Sequence, residues 1–155
     1  MRYVGVVGAG VASADEESAA HAVGRLLAGA GYAVICGGLD GVMAAACRGA
    51  KEAGGTTIGI LPGDDRRDAN AWVDVAIPSG MGEARNALVV RASEAVIAIG
   101  GEFGTLSEIA LALKLGRPVV GITTWKVERE GLNDDPVLRA GTPEDAVKLV
   151  RERIG

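Results

Sequence analysis

Residues 100 to 108 combine a glycine-rich turn with a carboxylate. Two glycines follow the apolar run 95–99, which predicts a buried strand, and residues 109–115 predict a helix. A strand that ends in glycines and turns directly into a helix presents several backbone N–H groups together, which favours binding of an anion such as phosphate. Glu108 lies one turn into the helix as a candidate catalytic acid. The candidate phosphate ligands of this stretch are Gly100, Gly101, Gly104 and Thr105.

Glu108 also has a purely structural interpretation. The spacing Thr105-x-x-Glu108 is that of a capping box, in which Thr105 is the N-cap and the Glu108 carboxylate accepts a hydrogen bond from its backbone N–H. The local sequence favours neither role over the other. The two roles can coexist, because a cap residue still faces whatever the loop binds.

Two other glycine turns end predicted strands. Gly8 and Gly10 form a turn similar to a dinucleotide fingerprint, with Ser13 in the place of the last glycine. The strand 33–36 has no acid at its end to hold a ribose, so the pattern disfavours NAD and favours a mononucleotide or another phosphate ester. A simple tight turn is the alternative. The turn of Gly37 and Gly38 predicts close approach of a ligand to the backbone or, equally, a left-handed turn.

Arg85 and Asn86 lie in a predicted helix over residues 82–93. The planar guanidinium of Arg85 suits a phosphate or a carboxylate, and Asn86 can hydrogen-bond a ligand. The alternatives are an Arg85 ion pair with Glu83 or Glu94 and an Asn86 that faces solvent.

Several kinds of site are disfavoured by the composition. The chain has one His and two Cys, without a Cys-x-x-Cys pair, so we predict neither a metal site nor a catalytic triad. Cys36 and Cys47 are expected to be small core residues, and His21 is expected to be structural. The net charge of −4 argues against a broad nucleic-acid surface.

Alternating apolar strands and helical patterns run along the chain. The predicted strands are residues 3–7, 33–36, 57–61, 72–77, 95–99 and 118–122, and the segment 125–142 is expected to wrap the surface. Such alternation over 155 residues predicts one Rossmann-like α/β domain, 1–155, with a doubly wound, mainly parallel sheet flanked by helices. Ligands then bind beyond the carboxyl ends of the strands, where the strand order reverses. Without a signal peptide or a spanning segment, we expect a cytoplasmic protein.

The motifs named above resemble those of the LOG-like superfamily, whose members are often labelled lysine decarboxylases. The resemblance covers nearly the whole chain and rests on Gly37-Gly38 with the run 41–43, on the run 82–86, and on the run 100–108. It is strongest to the small branch of molybdenum cofactor carrier proteins, which is related to DNA-processing protein A.

The resemblance implies two functions. In LOG enzymes, which hydrolyse nucleoside 5′-monophosphates to ribose 5-phosphate, Arg85 and Glu108 would be the catalytic pair, and the glycine loop would bind phosphate. The family motif has Pro at Gly100, Gly at Glu102 and Lys at Asn86, and these departures favour the other function. That function is binding of a phosphorylated small molecule, a nucleotide or a molybdopterin-type cofactor, by a protein expected to be a homodimer. A carboxylate at Glu102 repels phosphate unless it points away or is paired.

Overall fold

The computed structural model describes residues 1–155 and contains seven β-strands. Each of the predicted strands corresponds to an observed one, and the continuous apolar runs 33–36, 57–61 and 95–99 are buried on both faces of the sheet. The strands are β1 Tyr3–Gly8, β2 Ala33–Cys36, β3 Thr57–Leu61, β4 Val75–Pro78, β5 Ala95–Ile99, β6 Val119–Ile122 and β7 Leu138–Arg139.

Five α-helices connect or follow these strands. They are α1 Ala14–Gly29, α2 Val42–Glu52, α3 Asn86–Ala92, α4 Phe103–Lys114 and α5 Pro143–Ile154. Serine and threonine caps begin two of them: Ser13 and Glu16 form a complete capping box at α1, and Thr142 caps α5 just before Pro143. No helix combines the length and the apolar character that crossing a lipid bilayer requires.

The sheet is parallel throughout, in the order β4-β3-β2-β1-β5-β6-β7. The order reverses between β1 and β5, which are paired along their length up to Gly8 opposite Ile99. This arrangement confirms the Rossmann-like α/β fold predicted from the sequence. Because all strands point the same way, the glycine turns that follow β1, β2 and β5 meet at one edge of the sheet.

Helices cover both faces of the sheet. Alternate residues of β1 illustrate the division, since Val6 packs with α1, α2 and α5 while Val7 packs with α3 and α4. The backbones of α1 and α2 lie in close contact, because a Cβ at Gly24 would sit 1.9 Å from the Ala46 carbonyl oxygen. The two helical layers therefore hold the strand ends in a fixed arrangement.

Three local features differ from the sequence predictions. β4 begins at Val75 because side chains already tie the residues before it: Thr57 donates its hydroxyl to the Trp72 carbonyl and its N–H to the Asp74 carboxylate. The helix predicted over 82–93 is a 3-10 turn, Gly82–Arg85, followed by α3. The two-residue strand β7 lies in the segment expected only to wrap the surface, and it is too short to leave a pattern.

Candidate functional site

A cleft of about 740 Å³ opens where the strand order reverses. It lies beyond the ends of β1 and β2, between the 3-10 turn and the first turns of α4. The cleft contains most of the residues that the sequence singled out: Gly8, Gly10, Gly37, Arg85, Asn86, Gly104, Thr105 and Glu108. Groups from three separate glycine turns thus converge with a cation and an acid.

Three predicted ligands lie outside the cleft. Gly38 adopts a φ of 78° and packs against Leu61 and Gly59, and its N–H donates to the Cys36 sulfur. Gly100 and Gly101, with φ of 56° and 92°, line a neighbouring hollow instead. These glycines shape the turns that lead to the cleft, because only glycine adopts such angles without strain.

The start of α4 differs from the predicted capping box. The helix begins at Phe103, its N-cap is Glu102, and no side chain accepts a hydrogen bond from its first N–H groups. Thr105 therefore lies inside the first turn, and the capping-box prediction for Thr105 and Glu108 is wrong. The cause is the preceding turn: the left-handed Gly101 packs directly on Thr105, so the chain enters the helix earlier than the Thr-x-x-Glu pattern predicts.

Glu108 does not cap α4 and lies in the cleft as a buried acid. Its exposed fraction is 9%, and burial raises the pKa of its carboxyl to about 7. The positive charge of Arg85 opposes this rise without cancelling it. Near neutral pH, Glu108 therefore exists in both protonation states, as a general acid requires.

The guanidinium of Arg85 is held by hydrogen bonds to neutral oxygen atoms and not by an ion pair with a carboxylate. Its Nε donates to the Ile60 carbonyl at 2.9 Å, and its other nitrogens donate to the Gly37 carbonyl and the Asn86 side-chain oxygen. The predicted alternative of an ion pair with Glu83 or Glu94 is wrong, since Glu94 pairs with Arg2 instead. Asn86 does not simply face solvent: its side-chain oxygen accepts a hydrogen bond from Arg85 and helps to position the guanidinium. The positive charge of Arg85 is thus fixed in the cleft without an ion pair to a carboxylate.

Some residues of the cleft were not singled out as ligands from the sequence. Met43 forms part of the wall, and Phe103 stands at the rim with 74% of its surface exposed. Phe103 is the only phenylalanine of the chain and lies inside the glycine-rich run, which is the signal that could have indicated it. Met43 follows a glycine turn, but its helical spacing alone does not show whether it lines a cleft or is buried in the core.

The cysteines and the histidine do not enter the cleft. Cys36 and Cys47 are buried with their sulfurs 3.5 Å apart, and the hydrogen bond with Cys36, together with burial, raises the pKa of the Cys47 thiol. His21 Nε2 lies 2.6 Å from a Glu52 oxygen and links α1 to α2. No group of three or more His, Cys, Asp or Glu side chains is placed so that it could hold a metal ion.

Known proteins show close similarity to this chain. An uncharacterized protein of Archaeoglobus fulgidus is 43% identical over 148 residues, which are 95% of this chain and 93% of that protein. The solved structure of the molybdenum cofactor binding protein of Rippkaea orientalis superposes with a TM-score of 0.91 at 37% identity, over 99% of this chain and 98% of that chain. The molybdenum cofactor carrier protein of Chlamydomonas reinhardtii superposes with a TM-score of 0.86 at 34% identity, over 99% of this chain and 98% of that chain.

These similarities confirm the resemblance to the branch that contains molybdenum cofactor carriers. The model of the SLOG cluster4 family matches residues 1–147, which is nearly the whole chain. The chain therefore belongs to the SLOG cluster4 family.

Proposed function

We propose that this chain binds a phosphorylated pterin cofactor of the molybdenum cofactor type in the cleft. The observation that carries the proposal is the uncapped start of α4, which shares one cleft with Arg85, a cation that forms no ion pair within the protein. The close similarity to two proteins described as binding or carrying the molybdenum cofactor supports this choice of cargo.

The phosphate end of the cofactor is assigned to the first turn of α4. Helix N-termini attract anions through their free N–H groups and their dipole, and the first turn of α4 contains no acidic side chain, although its N-cap Glu102 adds one acid to the lining of the cleft. Gly104 brings backbone close to the ligand, and Thr105 adds a hydroxyl. Arg85 supplies the charge-assisted hydrogen bonds that a phosphate prefers.

The remaining part of the cleft suits the organic part of the ligand that adjoins its phosphate. Its volume of about 740 Å³ is within the range of small-ligand sites, and Val7 and Met43 give its wall an apolar surface. Because no cluster of metal-ligating side chains is present, the molybdenum would be held through the pterin and not by the protein. This arrangement fits a carrier, which has to release its cargo intact.

The raised pKa of Glu108 removes an objection to phosphate binding. A carboxylate in the cleft would repel an anion, but a carboxyl with a pKa of about 7 is largely neutral below that pH. A bound phosphate would favour the protonated form further. We therefore expect proton uptake on binding, measurable by calorimetry in buffers of different ionisation enthalpy.

Copurification tests the proposal. The protein is produced in a bacterial host that makes the molybdenum cofactor, and molybdenum and oxidised pterin are measured per chain. We expect both to copurify with the wild-type protein, to be lost with Arg85→Ala, and to be retained with Arg91→Ala, whose exposed arginine lies outside the cleft. Absence of both from the wild-type protein, or retention by Arg85→Ala, would contradict the proposal.

A second candidate function is hydrolysis of a nucleoside 5′-monophosphate, and the environment of Glu108 favours it. A buried acid with a pKa of about 7 can protonate a departing base, and its ionised form can stabilise the positive charge that builds on the ribose. Incubation with AMP, followed by detection of adenine and ribose 5-phosphate, tests this candidate. Release that is abolished by Glu108→Gln would support it, and absence of release from the wild-type protein would exclude AMP as a substrate.

The homodimer and the cytoplasmic location stay proposals that rest on the resemblance and on the sequence. Sedimentation equilibrium measures the first directly, with a dimer mass expected at micromolar concentration. Fractionation of the producing cells measures the second.

A further inference from the structure

A second hollow of about 600 Å³ lies beside the cleft, and we call it the side hollow. It is bounded by the start of α1, by Gly100 and Gly101, and by residues 122–125, which follow β6. Glu102 lines both the cleft and the side hollow. A ligand whose phosphate lies at the start of α4 could therefore extend past Glu102 into this second space.

Two aromatic rings lie where the cleft meets the side hollow. The ring centroids of Phe103 and Trp125 are 5.4 Å apart, with Phe103 on the cleft and Trp125 on the side hollow. The Trp125 indole N–H donates to the Glu102 carbonyl at 2.9 Å, and Arg139 donates to the Trp125 carbonyl. The Trp125 indole is thus held in place, and the exposed Phe103 ring beside it adds a second aromatic face; such faces suit stacking against a flat heterocycle.

The charges of the side hollow are opposite to those of a phosphate site. Asp15, Glu16 and Glu102 line it, and no lysine or arginine does. Glu16 already accepts a hydrogen bond from the Ser13 N–H in the capping box, whereas the Glu102 carboxylate has neither a hydrogen bond nor an ion pair within the protein. The side hollow therefore repels phosphate and has a carboxylate available for N–H donors.

A carboxylate pairs best with two parallel N–H donors, which it accepts on its two oxygens. The 2-amino-4-oxopyrimidine ring of guanine and of pterin offers such a pair, the ring N–H and the 2-amino group. Adenine offers an amino donor beside a ring acceptor, and this acceptor would face the carboxylate without a proton between them.

We propose that the side hollow binds the fused heterocycle of the ligand, stacked on Trp125 and paired with Glu102, and so selects guanine- or pterin-type rings over adenine. This inference rests on the proposed function, since it needs the phosphate to lie at α4. It also gives a role to Glu102, which stands where the LOG-like motif has glycine. Ring selectivity is thus a property of this chain that the general motif does not supply.

Calorimetric titration with guanosine 5′-monophosphate, AMP and ribose 5-phosphate tests the inference. We expect the guanine nucleotide to bind the wild-type protein at least tenfold more tightly than either of the others. Glu102→Gln should bring the guanine nucleotide to within threefold of AMP. The same change should leave ribose 5-phosphate binding unchanged or stronger, because it removes a negative charge near the phosphate. Glu17→Gln makes the same charge change on an exposed residue outside both spaces and should behave as wild type.

The outcomes separate this inference from the proposed function. Equal affinity for the two nucleotides, or an equal loss of all three ligands in Glu102→Gln, overturns the ring assignment while ribose 5-phosphate binding still supports the phosphate site. If none of the three binds the wild-type protein, the phosphate site fails and the ring assignment fails with it. The ratio of the two nucleotide affinities is measured on the wild-type protein, so it does not depend on the folding of a variant.

Discussion

Two helices of this protein carry the same four-residue pattern and use it differently. At α1, the Ser13 hydroxyl accepts from the Glu16 N–H and the Glu16 carboxylate accepts from the Ser13 N–H, both at 3.1 Å. At α4, Thr105 and Glu108 have the same spacing, but the helix begins at Phe103 and neither side chain caps it. The first turn of α1 also contains three acidic residues, and the first turn of α4 contains none.

This difference indicates that a helix N-terminus becomes an anion-binding site when no side chain of the protein caps its first N–H groups. At the N-terminus of α1, the capping box satisfies the N–H groups and the acidic residues offset the positive end of the helix dipole. This helix start therefore attracts an external anion only weakly. The positive φ values of Gly100 and Gly101 let α4 begin before its threonine, which leaves the first N–H groups open and places Glu108 in the cleft. A change in the cleft should therefore differ in its effect from a matched change outside it, for which α1 offers most of the controls.

The largest effect is expected for Glu108→Gln. The folded carboxyl has a pKa of about 7 against an ordinary value of 4.5, so the folded state holds its proton more strongly than the unfolded state. The free energy of unfolding should therefore fall as the pH rises from 4.5 to about 7, by about 3 kcal/mol in total at 1.36 kcal/mol per pKa unit. Glu108→Gln removes this loss, and urea unfolding should show a gain at pH 8 that is several times the gain at pH 5.

The matched control for this prediction is Glu17→Gln, whose carboxyl is exposed on α1. It should show no comparable pH dependence. An equal change in stability at both pH values for Glu108→Gln would mean that burial does not hold the proton.

Arg85→Lys should weaken binding of ribose 5-phosphate. The change keeps the charge but loses the planar fork and the anchor on the Ile60 carbonyl. One charge-assisted hydrogen bond contributes about 1.5–3 kcal/mol, so we expect a loss of about 10- to 100-fold in calorimetric titration. Arg91→Lys, outside the cleft, should have no effect. Unchanged affinity in Arg85→Lys would remove Arg85 from the phosphate site.

Exchanging the two hydroxyl residues for alanine should separate stability from binding. Ser13→Ala removes a cap and should lower the free energy of unfolding by about 1 kcal/mol with no change in ribose 5-phosphate affinity. Thr105→Ala should lower stability less, because Thr105 caps nothing, but should weaken binding about 2- to 10-fold through loss of one hydrogen bond. The same pattern for both variants would contradict the distinction between the two helix starts.

The smallest effect is expected for Gly104→Ala. A Cβ at this position meets no atom within 4 Å, so the change should stabilise the helix by up to about 1 kcal/mol. It should weaken ribose 5-phosphate binding at the same time, because the added methyl group enters the cleft. Gly29→Ala is the matched control in α1, also with open space, and should stabilise without changing affinity. Unweakened binding in Gly104→Ala would show that the ligand does not approach this backbone.

The sequence predicted the parts of the fold that depend on local patterns. β3 and β5 lie where the apolar runs placed them, and the caps at Ser13 and Thr142 begin the expected helices. The start of α4 could not be predicted in this way, because two glycines earlier in the chain determine it and the four-residue pattern does not.

The candidate site was predictable where backbone geometry forces proximity. The turns after β1 and β2 and the start of α4 meet because the strands are parallel and the order reverses between β1 and β5. Gly100 and Gly101 line the side hollow and not the cleft, since a glycine that shapes a turn need not face the same space as the residues that follow it. The burial of Glu108 depends on packing between elements distant in sequence, so its raised pKa had no local signal.

The central claim is that the open start of α4, and not that of α1, binds the phosphate. Titration of the ¹⁵N-labelled protein with ribose 5-phosphate, followed by amide chemical shifts, tests it most directly. We expect saturable shifts of the Gly104 and Thr105 amides, lost in Arg85→Ala, with the Asp15 and Glu16 amides unmoved. Shifts of equal size at both helix starts, or none at Gly104 and Thr105, would contradict it.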